Sequence, residues 1–431
     1  MLSISRNLGA VIVRSLTSWI FLFDSNKQFV GFLIIILVKK LNEPIMIIEE
    51  VKTPAQSQIF LEVPISLYKS SPNYIRPLDK DVNEVFDKGK NKAFRHGTVT
   101  RWILYDDQRN TMGRIAAFTN KRYKNKGDDV PVGGVGFFEC TNNQKAANLL
   151  FDTARQWLIG QGMQAMDGPI NFGERDKWWG LLTNGFQSPL YCMNYNLPYY
   201  QQLFENYGFK LFFNQVCFGM HPREQLLPKF LGRHAKIAAD PKLSAKHIRK
   251  SQLNEFAADF HTVYNKAWAG HGGNKELSME QCRKIFLQMK PVMDEKIVWF
   301  AYYDKAPIAI FINLPDLNQW FKYLDGKFGL WQKLKFLWIK AARKNPRFVG
   351  IVFGIVPEWQ GKGIDSYIIV EAAKVIQANL QYEEYEMQWI GDFNPKMIAL
   401  AENLTPIRSR QLTTYRYYFD REKPFHRHPF L

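Results

Sequence analysis

Residues Phe348 to Ile376 read FVGIVFGIVPEWQGKGIDSYIIVEAAKVI. Phe348 to Val356 is an apolar, β-branched run with the composition of a buried strand, and Pro357, which has no N–H to donate, ends it. Gln360-Gly361-Lys362-Gly363 follows as a tight turn. From Ile364 onward Tyr367, Ile368, Val375 and Ile376 recur at helical spacing, so the stretch predicts strand, glycine turn, helix.

That order suits an anion. The first N–H groups of a helix lack intrahelical partners and sit at the positive end of its dipole, and glycine lets backbone approach a phosphate closely. The turn lacks both the G-x-x-x-x-G-K-S/T pattern of triphosphate loops and the G-x-G-x-x-G dinucleotide fingerprint. It resembles the acyl-CoA loop of the GNAT acyltransferases, in which Gln or Arg is followed by two residues, Gly, one residue, and Gly or Ala. Here the loop is Gln360, Gly361, Lys362, Gly363, Ile364 and Asp365, and Asp365 alone departs from the pattern. A carboxylate there repels a pyrophosphate unless it turns outward as a helix cap. A plain strand-to-helix turn is the alternative reading.

Composition sets the outer bounds. A chain of 431 residues with 46% hydrophobic residues holds two or three packed domains. Lys plus Arg exceed Asp plus Glu by 57 − 40 = 17, which favours an anionic partner: CoA phosphates, a membrane surface or nucleic acid. Cys140, Cys192, Cys217 and Cys282 form no C-x-x-C pair and have no histidine cluster beside them, so neither a disulfide framework nor a metal site is expected. A reduced, cytoplasmic setting follows.

Residues 1–45 read differently from the rest. The apolar decamer Phe29 to Val38 is half the ~20 residues of a spanning helix, and Asp24 to Gln28 interrupts a signal-like pattern. The preferred reading starts the protein at Met46 and treats the preceding extension as non-native. From there strands and helices alternate. MIIEEVKT is a strand, Pro54 to Lys69 a helix that Pro64 should break or kink, and Val99 to Tyr105, Met112 to Phe118 and Gly134 to Glu139 are strands. Asn142 to Gly162 is a helix and Met163 to Asp167 a strand.

This first stretch, 46–225, also resembles a GNAT fold, with Gly136-Phe137-Phe138-Glu139 at the central strand and Asn196-Leu197-Pro198-Tyr199-Tyr200 to Phe209 closing it. Between Cys140 and the helix stands TNNQK, without a glycine turn, so this half is expected to be degenerate and unable to hold CoA. Glu174, Arg175, Asp176, Lys177, Trp178 and Trp179 admit two readings: an acceptor pocket that includes Arg175 and Trp178, or an ion-pair loop over core tryptophans.

Leu211 to Ala245 is read as a proline-bearing bridge with a boundary near Leu226. The second half, 226–423, restarts with helices Gln252 to Trp268 and Ser278 to Met289, and a basic tail 424–431 follows it. In a GNAT fold the loop between such helices lies over the acceptor, which makes Trp268 and His271 substrate candidates; the bland alternative is a solvated loop histidine. Lys296 to Tyr303 and Pro307 to Leu314 form a hairpin. Residues 315–347 then mix tryptophan and lysine at helical spacing, which suits peripheral membrane contact, an acyl tunnel, or a lid with one buried face and solvated lysines.

The resemblance implies that Ile355, Val356, Gln360, Gly361, Lys362, Gly363, Ile364 and Asn394 hold the acyl-CoA. The family's usual tyrosine acid falls at Ala401 and is absent, leaving Asp392 and His271 as catalytic candidates. The chain thus reads as an α/β protein with a mixed sheet, built of two tandem GNAT-like domains and similar to two-halved bacterial N-acyltransferases. Acetyl-CoA or a longer acyl-CoA would be co-substrate, an amine, small or lipid-like, would attack directly in a ternary complex, and no metal is required. Two alternatives are a Fem-like aminoacyl-tRNA-dependent transferase, which the glycine turn argues against, and a non-catalytic acyl-CoA-binding protein.

Overall fold

A computed structural model describes residues 45–268, 276–378 and 381–431. Contacts divide the described residues into a small unit, with residues 45–47 and Tyr105–Asn110, and a large one holding the rest from Ile48. Within the small unit, Asp106 Oδ1 accepts from the N–H groups of Gln108 and Asn110 at 2.9 and 2.8 Å, which closes the turn.

The first half opens with β1 (Ile47–Glu50) and α1 (Pro54–Leu67), capped by a reciprocal pair between Thr53 and Gln56. Of the expected break or kink at Pro64, the break does not occur: helix α1 continues through it to Leu67. Proline frees the carbonyl four residues before it, and the Arg114 guanidinium takes that orphan, donating to the Phe60 oxygen at 2.6 Å. After α2 (Asp79–Phe86) come β2 (Gly97–Tyr105), β3 (Thr111–Asn120), β4 (Val132–Cys140), α3 (Gln144–Gly160), β5 (Ala165–Gly168), β6 (Leu181–Asn184) and α4 (Tyr199–Tyr207). The start of the bridge expected over Leu211 to Ala245 is instead strand: β7 runs over eleven residues, Lys210–Met220. Its mixed pattern KLFFNQVCFGM does not alternate because both faces are covered: the consecutive residues Val216, Cys217 and Phe218 are all buried.

The second half contains α5 (Pro228–Ile237), β8 (Leu243–His247), α6 (Leu253–Trp268), α7 (Met279–Met289), β9 (Val298–Tyr303) and β10 (Ala306–Pro315). Then follow α8 (Asn318–Phe321), α9 (Leu330–Ala342), β11 (Arg347–Ile355), α10 (Ile364–Ala378), β12 (Glu384–Met387), β13 (Ile390–Gly391), α11 (Pro395–Leu404) and β14 (Arg408–Tyr418). Helices α5 and α9 and strand β8 lie in stretches where the sequence was read as bridge or insertion.

All strands join one mixed sheet in the order β1-β2-β3-β4-β5-β14-β7-β12-β11-β10-β9-β8, with β6 on β14 and β13 on β7. The closing strands are exchanged. Strand β14, last of the second half, lies between β5 and β7, while β7, last of the first, pairs with β12. The 315–347 insertion spans the halves as well. Asn318 Nδ2 donates to the Pro189 carbonyl at 2.9 Å, and the Asp79 N–H to the Gly326 carbonyl at 2.7 Å. Trp320, Phe321, Leu324, Phe336 and Ile339 pack with Leu78 beneath it.

The four cysteines are free and buried. Burial pushes the Cys140 thiol up to about 12, so it remains protonated near neutrality. Among the described residues no helix is long and apolar enough to cross a membrane, and no cluster of His, Cys, Asp or Glu is arranged to hold a metal.

Candidate functional site

The site begins where two parallel strands part. Strand β11 pairs with β12 from Arg347 to Gly350, the Gln388 N–H closes on the Gly350 carbonyl at 3.0 Å, and β11 then continues to Ile355 without β12 beside it. On its other edge β10 stays paired, apart from the extra residue Ile351 between the Ile312/Val352 and Asn313/Gly350 pairs. Such a bulge bends a strand, and here it falls where the sheet opens.

The opening is a cleft of about 860 Å³. Phe353, Gly354 and Ile355 supply one wall, Trp268 and Ala267 a second, Asn394, Lys396, Met397 and Leu400 a third, and Gln360 to Gly363 the rim. Gly354 is required for contact, because a Cβ there would stand 2.1 Å from the Trp268 ring. The turn is shaped by glycine: Gly361 and Gly363 have φ of 74° and 82°, left-handed values that cost an L-residue about 1–2 kcal/mol. Gln360 Nε2 bonds back to the Ile355 carbonyl at 3.1 Å and fixes the turn to the strand end. Helix α10 starts at Ile364, and Gly363 before it has no side chain with which to cap the first amides.

The cleft is cationic. Arg233, Lys236, Lys362 and Lys396 line it against one acid, Asp365. That carboxylate, in the first turn of α10, is drawn toward Arg233 at 3.8 Å, so its charge is partly met by a side chain. Helix α5, which carries Arg233 and Lys236, is tied to α10 by His234, whose Nε2 is 2.7 Å from Glu371 Oε1 and whose ring stacks on Tyr367. These cations were missed in the sequence. Their signal was the helical spacing of Phe230, His234 and Ile237, hidden among the prolines of the bridge.

A small apolar pocket, of about 50 Å³, adjoins the cleft under the parted strands. It shares Phe353, Met397 and Leu400 with the cleft and adds Phe311, Ile369, Tyr385, Met387, Ile390, Ala401 and Leu404. Burial raises the Tyr385 hydroxyl far above its ordinary value, so the pocket carries no charge at neutral pH. Ala401 is one of its walls and is itself only 3% exposed.

Of the acyl-CoA residues expected from the sequence, Ile355, Gln360, Gly361, Lys362, Gly363 and Asn394 meet at this cleft, as does Trp268. Asn394 also caps α11, accepting from the Met397 N–H at 3.2 Å. Val356 and Ile364 are buried in the core behind it. His271 lies outside the described residues. Asp392 is not a wall of the cleft; its carboxylate pairs with Arg427 at 2.5 Å. Arg175 and Trp178 belong to the first half and do not line the cleft. Arg175 lies over the Trp179 ring and donates to Asn125 Oδ1 at 3.0 Å, while Trp178 is buried beside Phe137.

The first half repeats the device with the gap filled. Strands β4 and β5 pair from Val132 to Gly134, and the Ile170 N–H then bonds the Val135 carbonyl at 2.7 Å. A Cβ on Gly136 would lie 2.0 Å from the Ile170 carbonyl oxygen, so chain occupies the opening. Helix α3 is closed as well, since the Asn143 side chain accepts from the Lys145 and Ala146 N–H groups. What is left is a cavity of about 40 Å³ bordered by Glu139, Arg114 and Trp178.

No family model matches the chain. It is 25% identical over 377 residues to a protein named bacterial ceramide synthase from Caulobacter vibrioides (strain NA1000 / CB15N), covering 85% of this chain and 95% of that one. It is 24% identical over 355 residues to Protein YghO of Escherichia coli (strain K12), covering 80% and 88%. Among solved structures it is similar to a tandem GNAT protein from the clavulanic acid biosynthesis pathway, at 10% identity and a TM-score of 0.49, covering 89% of this chain and all of that one.

Proposed function

We propose that the chain is an N-acyltransferase that moves an acyl group longer than acetyl from acyl-CoA to the amine of a lipid-like acceptor. The observation that carries this is the junction of a cationic glycine turn with an apolar pocket between parted strands. A thioester with a pyrophosphate at one end and a hydrocarbon at the other matches that sequence of surfaces. The amides of the turn and the first residues of α10 hold the pyrophosphate, with Lys362, Arg233 and Lys236 around it. The first carbons of the acyl chain enter the pocket walled by Phe353, Met397 and Ala401.

The amine attacks the thioester carbonyl beside the β11 edge, where a strand amide near Ile355 supports the developing oxyanion. The tetrahedral adduct collapses by breaking the C–S bond. The departing thiolate then takes, through water, the proton lost by the nitrogen that became cationic when the amine added. The relative named bacterial ceramide synthase supports the acceptor class, because a ceramide is the N-acyl amide of a long-chain amino alcohol.

The test is calorimetric titration with acetyl-, octanoyl- and palmitoyl-CoA, followed by thiol release in the presence of long-chain amino alcohols. Longer chains should bind more tightly, and amide should form only with amine present. Binding without turnover across such amines would leave a carrier of acyl-CoA instead. Ala401→Phe fills the pocket, so octanoyl-CoA affinity should fall tenfold or more, since each methylene denied burial costs about 0.8 kcal/mol. Acetyl-CoA affinity should change less than about twofold, because acetyl places only a methyl in the pocket. Arg233→Glu with Lys236→Glu should weaken all three by about tenfold at low salt and flatten the dependence on ionic strength.

A further inference from the structure

Helix α9 has two apolar faces. Phe336 and Ile339 are buried against Trp320, Phe321 and Leu324, which accounts for one. The other is bare: Leu330 is 79% exposed, Trp331 81%, Leu334 58%, Leu337 57% and Trp338 64%. Five of the thirteen large hydrophobic side chains exposed among the described residues thus fall within nine residues of one helix. At 100° per residue they cover an arc of roughly 120° opposite the buried pair, with Lys333 on one side and Lys335 on the other. From Gly326 to Pro346 the chain carries five lysines, Arg343 and no acidic residue.

A bare apolar stripe on a globular surface exposes hydrocarbon to water at a cost, so it marks something that covers it. The surroundings narrow what that is. A protein partner with an ordinary mixed-charge rim gains little from a rim of one sign. An anionic bilayer matches every part: leucines enter the acyl boundary, tryptophans sit at the interface, and lysines extend their stems along the apolar surface toward lipid phosphates. The helix is also anchored at its back to both halves through the insertion, so it meets a surface as a fixed ridge.

We infer that α9 docks the protein on the surface of an anionic lipid bilayer, with Leu330, Trp331, Leu334, Leu337 and Trp338 inserted and Lys333 and Lys335 against the headgroups. The inference does not rest on acyl transfer, and its test reads no activity. The full chain is floated with vesicles of equal parts phosphatidylglycerol and phosphatidylcholine, and with phosphatidylcholine alone, at low and high salt. Retention should favour the anionic vesicles by about tenfold or more and weaken with salt.

Trp331→Ser with Trp338→Ser, and separately Lys333→Glu with Lys335→Glu, should each reduce retention by about tenfold. Both leave the thermal midpoint unchanged, because all four side chains are solvated. Retention equal on neutral vesicles, or unaffected by either double variant, overturns the assignment. So does a dimer in sedimentation that the tryptophan variant converts to monomer, since a second copy would then be what covers the face.

Discussion

Gly363→Trp should abolish saturable acyl-CoA binding, a loss of at least about a hundredfold by calorimetry, while the protein stays folded. The turn residue has φ of 82°, and its Cβ position faces open space, with Ile237 Cδ1 at 3.5 Å the one neighbour. Tryptophan therefore meets no immediate core obstacle. Its ring instead extends from the rim of the cleft, where the first amides of α10 and the side chains of Lys362 and Arg233 converge. A bulky apolar group there removes both the amides' access and the charge complementarity that hold a pyrophosphate.

The control is Gly363→Ala. It carries the same left-handed strain, about 1–2 kcal/mol, without blocking the rim. Alanine should lower the unfolding midpoint slightly and keep most of the affinity, whereas tryptophan should lose the affinity at similar stability. Equal loss in both would assign the effect to backbone strain and remove the glycine turn as a ligand site.

Arg410→Met should cost about 3–5 kcal/mol of unfolding free energy in urea, the price of leaving a buried carboxylate unpaired. Arg410 is 1% exposed and Glu386 3%. The guanidinium meets the carboxylate through Nε at 2.6 Å and Nη2 at 2.9 Å, and Ser409 Oγ adds a third bond at 2.8 Å. The pair joins β14 to β12 across β7, where Gly219 lies opposite Glu386 and Cys217 opposite Arg410. Only two residues of β12 pair directly with β7, so this bridge adds a buried side-chain link where the backbone ladder is short. Arg410→Met combined with Glu386→Leu should recover most of the loss, since two apolar groups leave no charge behind.

Residues 348–376 declared the strand, the turn and the helix because each is a local matter: a β-branched run, two glycines where backbone must turn left-handed, and a 3.6-residue apolar period. The filled first-half gap was half legible. The missing glycine turn after Cys140 was visible, but the plug at Ile170 depends on a bond to Val135, thirty-five residues earlier. The cations of the site were not legible as a site, because Arg233 and Lys236 stand about 130 residues before the turn they face. Ala401 could be counted as a missing tyrosine; that it walls an apolar pocket required α11 to be set against β11.

The amino-acid sequence by itself determined the mixed α/β alternation, the glycine turn and the amphipathic character of 315–347, since propensity, turn chemistry and periodicity act within a few residues. Tertiary structure alone decided that β7 and β14 exchange places between the halves of the sheet, that Arg410 finds Glu386, and that α9 buries one apolar face and bares the other. Those outcomes are set by pairing register and by which surface each face meets, and both depend on contacts between residues far apart in the chain.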